Sequence, residues 1–438
     1  MLKITKFGGS SVANATQFAK VKKIIEADPT RKVVVVSASG REHKTDNKVT
    51  DLLYLVEAHM KYSVDYLSLF NMIKERFISI KNDLNLTYPI EEDLEVLEKK
   101  LNKSMSTDYL VSRGEYLTAK LMAEYLNYPF VDAKDIITFS YDGKVDYDAT
   151  KYRLDSFLKK HDRFVIPGFY GSMPDGTIKA MTRGGSDITG SILARLMNAT
   201  MYENWTDVSG ILMADPRIVK NPKRIEKITY SELRELSYMG ASVLHEEAIF
   251  PVKDKNIPIN ILNTNHPEEE GTIIIDEDSD EETNQIITGI AGKKDFTIIS
   301  VYKNHMSDEI GIIRRALEVL ENYRVSIEHI PSGIDSFSIV VNSEQVKDVI
   351  YDIVSDIKRV CATDNIKVFD HISLIATVGR MMMSRPGIAG RLFAVLGNEN
   401  INIRMIAQGS DEINIVVGVE NKDYERTIAA IYNSFVVE

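Results

Sequence analysis

One cysteine, Cys361, stands in 438 residues. A single thiol excludes an intrachain disulfide framework and fits a reducing compartment. The eight histidines fall into no zinc spacing, since His245-Glu246-Glu247 lacks the second histidine of a zincin helix. No residue is therefore assigned to a metal. Long apolar runs are missing too, so no membrane partner is expected. The start, MLKITKFGGSS, carries no signal-peptide h-region, and a cytoplasmic location is expected. A basic surplus is absent: 53 Lys and Arg face 64 Asp and Glu, a net charge of −11, which argues against nucleic acid as a partner. Neither a GxxxxGK[ST] loop nor an HRD/DFG pair occurs. Any phosphoryl chemistry must use a different fold from those two.

What is present is an ordinary globular balance, 44% hydrophobic and 27% charged, long enough for two to four domains. Leu2 to Phe7 reads as a strand, followed at once by Gly8-Gly9-Ser10-Ser11 and by a helix burying Phe18, Val21, Ile24 and Ile25. Lys32 to Val36 is a β-branched run, as in a buried parallel strand, and Ser37-Ala38-Ser39-Gly40 follows it. Strand, glycine turn and helix thus occur twice, which predicts an α/β domain with ligands beyond the carboxyl ends of its strands. Residues 51 to 107 read as a helical insertion. Ser112 and Glu115 have capping-box spacing and predict a helix start. Ile136 to Phe139 predicts a short strand. Phe164 to Tyr170 predicts another, followed by a turn at Pro174-Asp175-Gly176. Thr182 to Asp187 leads into a helix carrying Ile188, Ile192, Leu193 and Leu196 on one face. Glycines before a helix suit an anion. Arg183 has the fork to grip a carboxylate, and Lys6 can set its ammonium over phosphates. Asp187 equally suits an ordinary helix start facing the dipole.

Residues 263 to 288 are acidic and predict a solvated domain boundary. Beyond them an internal repeat appears. Ile310-Gly311 to Val341 aligns with Pro386-Gly387 to Val417 at a constant offset of 76, pairing Gly311 with Gly387, Leu320 with Leu396 and Gly333 with Gly409. The expected division is 1–288, 289–371 and 372–438, with the last strand of the third segment able to return to the second.

Several stretches in the same order resemble the aspartokinases of the amino acid kinase superfamily: Lys6-Phe7-Gly8-Gly9-Ser10-Ser11-Val12, Val33 to Ser39, Ser112 to Glu115, Gly168 to Gly171, Thr182 to Asp187 and Trp205 to Val208. The monofunctional, lysine-sensitive type is the nearest in pattern, and the repeat sits where that family carries tandem ACT modules. The resemblance implies a three-layer α/β/α kinase domain with a mainly parallel central sheet, followed by two ferredoxin-like βαββαβ ACT units. It implies transfer of the γ-phosphoryl of ATP to L-aspartate, the first step toward lysine, threonine and methionine, with Mg²⁺ on the ATP phosphates. Lys6 and Asp187 would be catalytic. Ser37, Thr50, Glu115, Arg183 and Ser186 would hold the substrate. Lys6, Gly8, Gly9, Ser10, Thr206, Asp207, Leu212, Arg217, Ser242 and Val243 would contact nucleotide. Met306, Gly311, Ser326, Ile327, Glu328 and Ser332 would form an effector site, with lysine favoured because Glu328 can meet an amino group where Arg404, its counterpart in the second unit, would repel one. A homodimer or dimer of dimers through the ACT units is expected. Departures from the family pattern gather on the nucleotide side: Ser209 stands where proline is usual, Leu212 where an aromatic is frequent, and Ser242 where lysine is common. Two rival readings remain, a kinase for another acidic metabolite such as glutamate, and a non-catalytic amino-acid sensor.

Overall fold

The computed structural model describes residues 1–437 apart from Lys44, Arg183, Ser242, Val243, His245, 277–285, Ser384 and 410–412. The chain forms two compact units. One comprises Met1–Ile211, Glu226–Tyr230 and Val243–Ser279, the other Leu212–Ile225, Ser231–Ser242 and Asp280–Glu438.

The first unit is built on a seven-stranded sheet. Its spatial order is Phe164–Pro167, Arg31–Val36, Lys3–Phe7, Met201–Thr206, Ile259–Asn263, Thr272–Ile275 and Lys227–Thr229. The first five strands are parallel, and Thr272–Ile275 runs antiparallel to Ile259–Asn263. Both faces of the central strands are covered, which is why Val33, Val34, Val35 and Val36 are all fully buried. Phe7, Val34 and Val36 join a core with Phe18, Val21, Ile24 and Ile25 of the helix Ala15–Glu26. The helix Gly185–Leu196 packs on Lys3–Phe7. Gly190 permits this helix to lie against Met201–Thr206, since a Cβ there would fall 2.6 Å from the Tyr202 ring. Helices Val49–Lys61, Leu67–Asp83 and Ile90–Lys100 add Leu53 and Val56, Phe70 and Phe77, and Leu94 and Leu97, respectively, to the same core.

Local expectations fail in four places. The helix expected to open at Ser112 spans Thr107–Leu126, so Ser112 and Glu115 lie inside it and form no capping box. Ser112 Oγ instead donates to the Tyr109 carbonyl. Ala133–Ile136 is a helical turn, and Thr138 and Phe139 make only isolated bridges. The strand expected over Phe164 to Tyr170 stops at Pro167; Gly168 N–H still donates to the Val36 carbonyl at 2.9 Å, and Phe169, at φ +78°, then turns the chain away. Tyr170–Ser172 then pairs separately with Ile178–Ala180 around Gly176, at φ +84°. Thr272–Ile275 lies within the stretch expected to be solvated, yet it is a sheet strand, its Thr272 and Ile274 buried by the neighbouring strands.

The second unit carries a six-stranded antiparallel sheet in the order Ile327–His329, Ser336–Asn342, Gly289–Tyr302, Asn365–Val378, Asn414–Glu420 and Met405–Ala407. The repeat is visible in the helices Ile312–Asn322 and Ile388–Asn398, each begun by a left-handed glycine, Gly311 at φ +83° and Gly387 at φ +92°. A non-glycine residue would be strained at either position. The helices begin 76 residues apart, whereas the strands after them begin 78 apart, at 327 and 405 and at 336 and 414. The two central strands are 14 residues each and serve both halves. Phe296–Tyr302 pairs with Ser336–Asn342, while Gly289–Lys293 pairs with Leu374–Val378, its Ile290 N–H donating on the other side to the Met213 carbonyl at 2.7 Å. The second half therefore takes its fourth strand from before the first half. Among the described residues, nothing after Tyr432 forms a strand.

Candidate active site

The carboxyl ends of Lys3–Phe7, Arg31–Val36 and Met201–Thr206 open on a cavity of about 1270 Å³. Two glycine turns meet at its floor. Gly40 N–H donates to the Gly9 carbonyl at 2.9 Å, and a Cβ on Gly40 would lie 2.5 Å from the Gly9 backbone. Only glycine permits that approach. The cavity is lined by Lys6, Gly8, Gly9, Ser10, Ser37, Thr50, Glu115, Ser186, Asp187, Thr206 and Asp207, all singled out from the sequence.

Lys6 stands one residue before the end of the strand Lys3–Phe7 and is buried. Its Nζ pairs with Asp187 Oδ1 at 2.5 Å. Gly8 lies close to that Nζ, a Cβ there coming to 3.6 Å, so the ammonium sits against the first glycine turn. Asp187 sits in the first turn of Gly185–Leu196, beyond the left-handed Gly184 at φ +78°. Phe169 lines the same wall and holds φ +78°, a costly conformation for a bulky residue. Its amide is fixed by Thr189 Oγ1 at 3.1 Å and its carbonyl by Met181 N–H at 2.7 Å.

Glu115 reaches the opposite wall from the helix Thr107–Leu126. Gly114 lets that helix touch the second glycine turn, for a Cβ there would meet Ala38 Cβ at 2.8 Å. One carboxylate oxygen accepts from the Ala38 N–H, and Oε2 has no partner. Burial pushes the carboxyl up to about 8, with the Ala38 hydrogen bond and the Arg113 charge opposing it only in part. A buried carboxyl that lines a cavity and keeps one oxygen without a partner is a site for a cationic group.

The loop between the second strand and Val49 also lines the cavity, through Arg41, His43 and Lys48, which the sequence reading missed. Arg76, on the helix Leu67–Asp83, braces it. Its Nη1 donates to the Gly40 carbonyl at 2.6 Å and its Nη2 pairs with Asp46. Asp46 in turn accepts from Glu42 N–H at 3.0 Å and Asn47 N–H at 2.7 Å. Burial disfavours the Asp46 charge, but these N–H groups and Arg76 outweigh it and hold the carboxyl below its ordinary value. The neighbouring Glu203 is buried but fully paired with Arg31, Lys3 and Trp205 Nε1, which makes it a structural anchor.

Other expected site residues lie elsewhere. Leu212 and Arg217 belong to the second unit and not to the set lining the cavity. Leu212 bridges Arg224, and Arg217 is spread over Asp215 at 2.6 Å. Arg183, Ser242 and Val243 fall outside the described residues. In the second unit, buried Met306 and Ile312, directly after Gly311, share a core cluster against which the half-buried Ile327 packs. Ser326 N–H donates to Gln345 Oε1 at 2.9 Å, and Ser332 bridges Phe337. Glu328 Oε2 accepts from the Tyr238 hydroxyl at 2.5 Å, and burial together with this carboxylate pushes the phenol up to about 12. Arg404 is occupied by Glu420 at 2.6 Å.

The amino acid kinase family profile matches residues 1–263, and an ACT domain profile matches residues 375–435. Aspartokinase 3 of Bacillus subtilis is 37% identical over 449 residues, covering 99% of this chain and 98% of its own. The crystal structure of Clostridium acetobutylicum aspartate kinase, described as an allosteric enzyme, superposes with TM-score 0.93 at 49% identity, covering 99% of this chain and all of that one. Escherichia coli aspartokinase III, solved in complex with aspartate and ADP, superposes with TM-score 0.75 at 25% identity over the full length of both chains. With a kinase cavity at the strand ends, a family match over residues 1–263 and a relative of that identity along nearly its whole length, the chain belongs to the aspartokinases of the amino acid kinase family.

Proposed function

We propose that the chain transfers the γ-phosphoryl group of ATP to the β-carboxylate of L-aspartate, giving 4-phospho-L-aspartate and ADP, as the entry step to lysine, threonine and methionine. The observation that carries this reading is one cavity holding a buried lysine–aspartate pair on one wall and the idle Glu115 Oε2 on the other. A β-carboxylate is already a nucleophile at neutral pH and needs no strong base. One of its oxygens forms the new bond to the γ-phosphorus while the bond to the bridging oxygen breaks and ADP leaves. The reaction needs alignment and charge neutralisation. Lys6 supplies the charge over the glycine turns Gly8, Gly9 and Ser10, and Asp187 orients Lys6. Glu115 takes the substrate ammonium, Arg183 its α-carboxylate, and Ser37, Thr50 and Ser186 complete the pocket. Thr206 and Asp207, at the end of their strand, face the nucleotide, with Leu212, Arg217, Ser242 and Val243 assigned to it by family pattern. Mg²⁺ would ride on the ATP phosphates, lowering their charge.

The catalytic region is assigned to 1–288 and two ACT modules to 289–371 and 372–438, the second completed by Gly289–Lys293. Lysine is the proposed feedback inhibitor, taken up by the first module around Met306, Gly311, Ser326, Ile327, Glu328 and Ser332. Glu328, acidic and within the strand Ile327–His329, supports this; Arg404, its match at the sequence offset of 76, lies just before Met405–Ala407 because the strands are set 78 apart, and it is paired with Glu420. Exposed Ile310, Ile330 and Ile334 support dimerisation through these modules. The test is ADP release with aspartate and glutamate in parallel. Aspartate-dependent release with little response to glutamate supports the reading. Equal response would reassign the substrate, and no response would favour a sensor.

A further inference from the structure

Asn204 was singled out by no motif, yet it lies at the centre of the charged wall. The parallel register sets it directly beside Lys6. Cross-strand neighbours point to the same face, about 4.8 Å apart. Asn204 is 4% exposed. Its Nδ2 donates to Asp187 Oδ1 at 2.9 Å, and its Oδ1 accepts from Lys6 Nζ at 3.5 Å. Two residues earlier on the same face, the fully buried Tyr202 donates its hydroxyl to the Asp187 backbone carbonyl at 3.0 Å. Asp187 is thus gripped at carboxylate and backbone by alternate residues of one strand.

The chemistry fixes the amide's orientation. Lysine only donates and an ionised aspartate only accepts. An amide offers one group of each kind, so only one rotamer satisfies both neighbours. Reversed, it would face nitrogen to ammonium and oxygen to carboxylate. Neither leucine, which offers nothing, nor aspartate, which cannot donate when ionised, can replace it.

We propose that Asn204 is a positioning residue for phosphoryl transfer, holding the Asp187 carboxylate in place when Lys6 turns from it toward the transferring phosphoryl group. The inference rests on the roles given above to Lys6 and Asp187. In the structure the ammonium is committed to Asp187. Once phosphate oxygens draw it away, Asp187 keeps the Asn204 Nδ2–H and does not need to swing or take up a proton. Lys6 then has a fixed counter-charge to return to after ADP departs.

The experiment compares wild type, Asn204→Asp and Asn204→Leu for kcat, for KM of aspartate and of ATP, and for kcat across pH 6 to 9, with thermal unfolding in parallel. Loss of alignment at a reacting centre costs about 10²-fold. The expected result for Asn204→Leu is a fall of that order in kcat, with both KM values within about threefold of wild type. Asn204→Asp has the same shape but sets a second carboxylate against Asp187, so one of the two must hold a proton. The acid limb of its kcat profile is expected to move up by about one pH unit or more. Should Asn204→Leu fail to fold, the isosteric variant decides alone. Unchanged kcat in the folded variants, an unmoved acid limb in Asn204→Asp, or a loss carried only by KM overturns the proposal. If wild type itself releases no ADP with aspartate, the functional reading falls and this inference with it. An active wild type beside indifferent variants removes this inference alone.

Discussion

With Glu115 as the proposed seat of the substrate ammonium, aspartate binding becomes a proton-linked event. Burial raises its carboxyl from 4.5 to about 8, so at pH 7 only about a tenth of the free enzyme carries the charge. An incoming ammonium pairs with the ionised form, so binding must expel the proton. The apparent KM for aspartate should scale inversely with the ionised fraction. That is about tenfold per pH unit well below 8, flattening above it, or about 25-fold between pH 6.5 and 8.5. Calorimetry in two buffers of different ionisation enthalpy should show release of about one proton per aspartate bound at pH 7. Glu115→Gln removes the titration. Its KM should be raised by about 10²-fold, the worth of a charge-assisted hydrogen bond, and be flat over the same range. Stability follows with a definite sign. The folded-state value lies above the unfolded one, so the folded chain binds the extra proton between pH 4.5 and about 8. The stabilisation is complete below 4.5 and is lost as pH rises to 8. Glu115→Gln should therefore raise the melting temperature relative to wild type more at pH 8 than at pH 5. A KM for aspartate that is constant from pH 6.5 to 8.5, with no buffer-dependent heat, would refute the reasoning.

Lys6→Ala removes the charge aimed at the transferring group; kcat should fall by about 10²–10³ while aspartate binding by calorimetry is nearly unchanged. Arg76→Ala frees the loop that follows the second strand, so KM for aspartate should rise about tenfold with a smaller change for ATP, as steady-state kinetics would show. Lysine should inhibit the wild type along a sigmoidal curve, and Glu328→Ala should blunt that inhibition. Threonine in parallel tests the choice of effector.

The parts legible in the sequence were those that depend on near neighbours. Strand ends followed by glycine, Gly8-Gly9 after one and Gly40 after the other, marked both turns of the cavity floor, and the repeat showed itself because Gly311 and Gly387 must each take a left-handed conformation. Glu115 was harder. Its spacing from Ser112 satisfies a capping rule, and residue-level reading left a helix start open; only the family resemblance pointed to a ligand. Nothing local reveals that the helix had begun at Thr107, because Gly114 is explained by its contact with Ala38, some 76 residues earlier in the chain. Asn204 was invisible for a related reason. Its place beside Lys6 comes from register between strands almost 200 residues apart, and no spacing within the sequence encodes that. Thr272–Ile275 was hidden by acidic flanks, although its own β-branched run would have predicted a strand.

The two long central strands of the second unit impose an order on its synthesis and folding. The first half has all its strands once Asn365–Val378 has been made. The second half finds its outer neighbour, Gly289–Lys293, translated about 80 residues before the chain that completes it. It can therefore condense onto a finished template, at the cost of long-range pairing, which slows folding. A fragment cut to the ACT-matched residues 375–435 would lack that neighbour. Its strand from 375 onward would present unpaired backbone groups along a full edge, a template for self-association. A soluble fragment for ligand studies has to begin before Gly289.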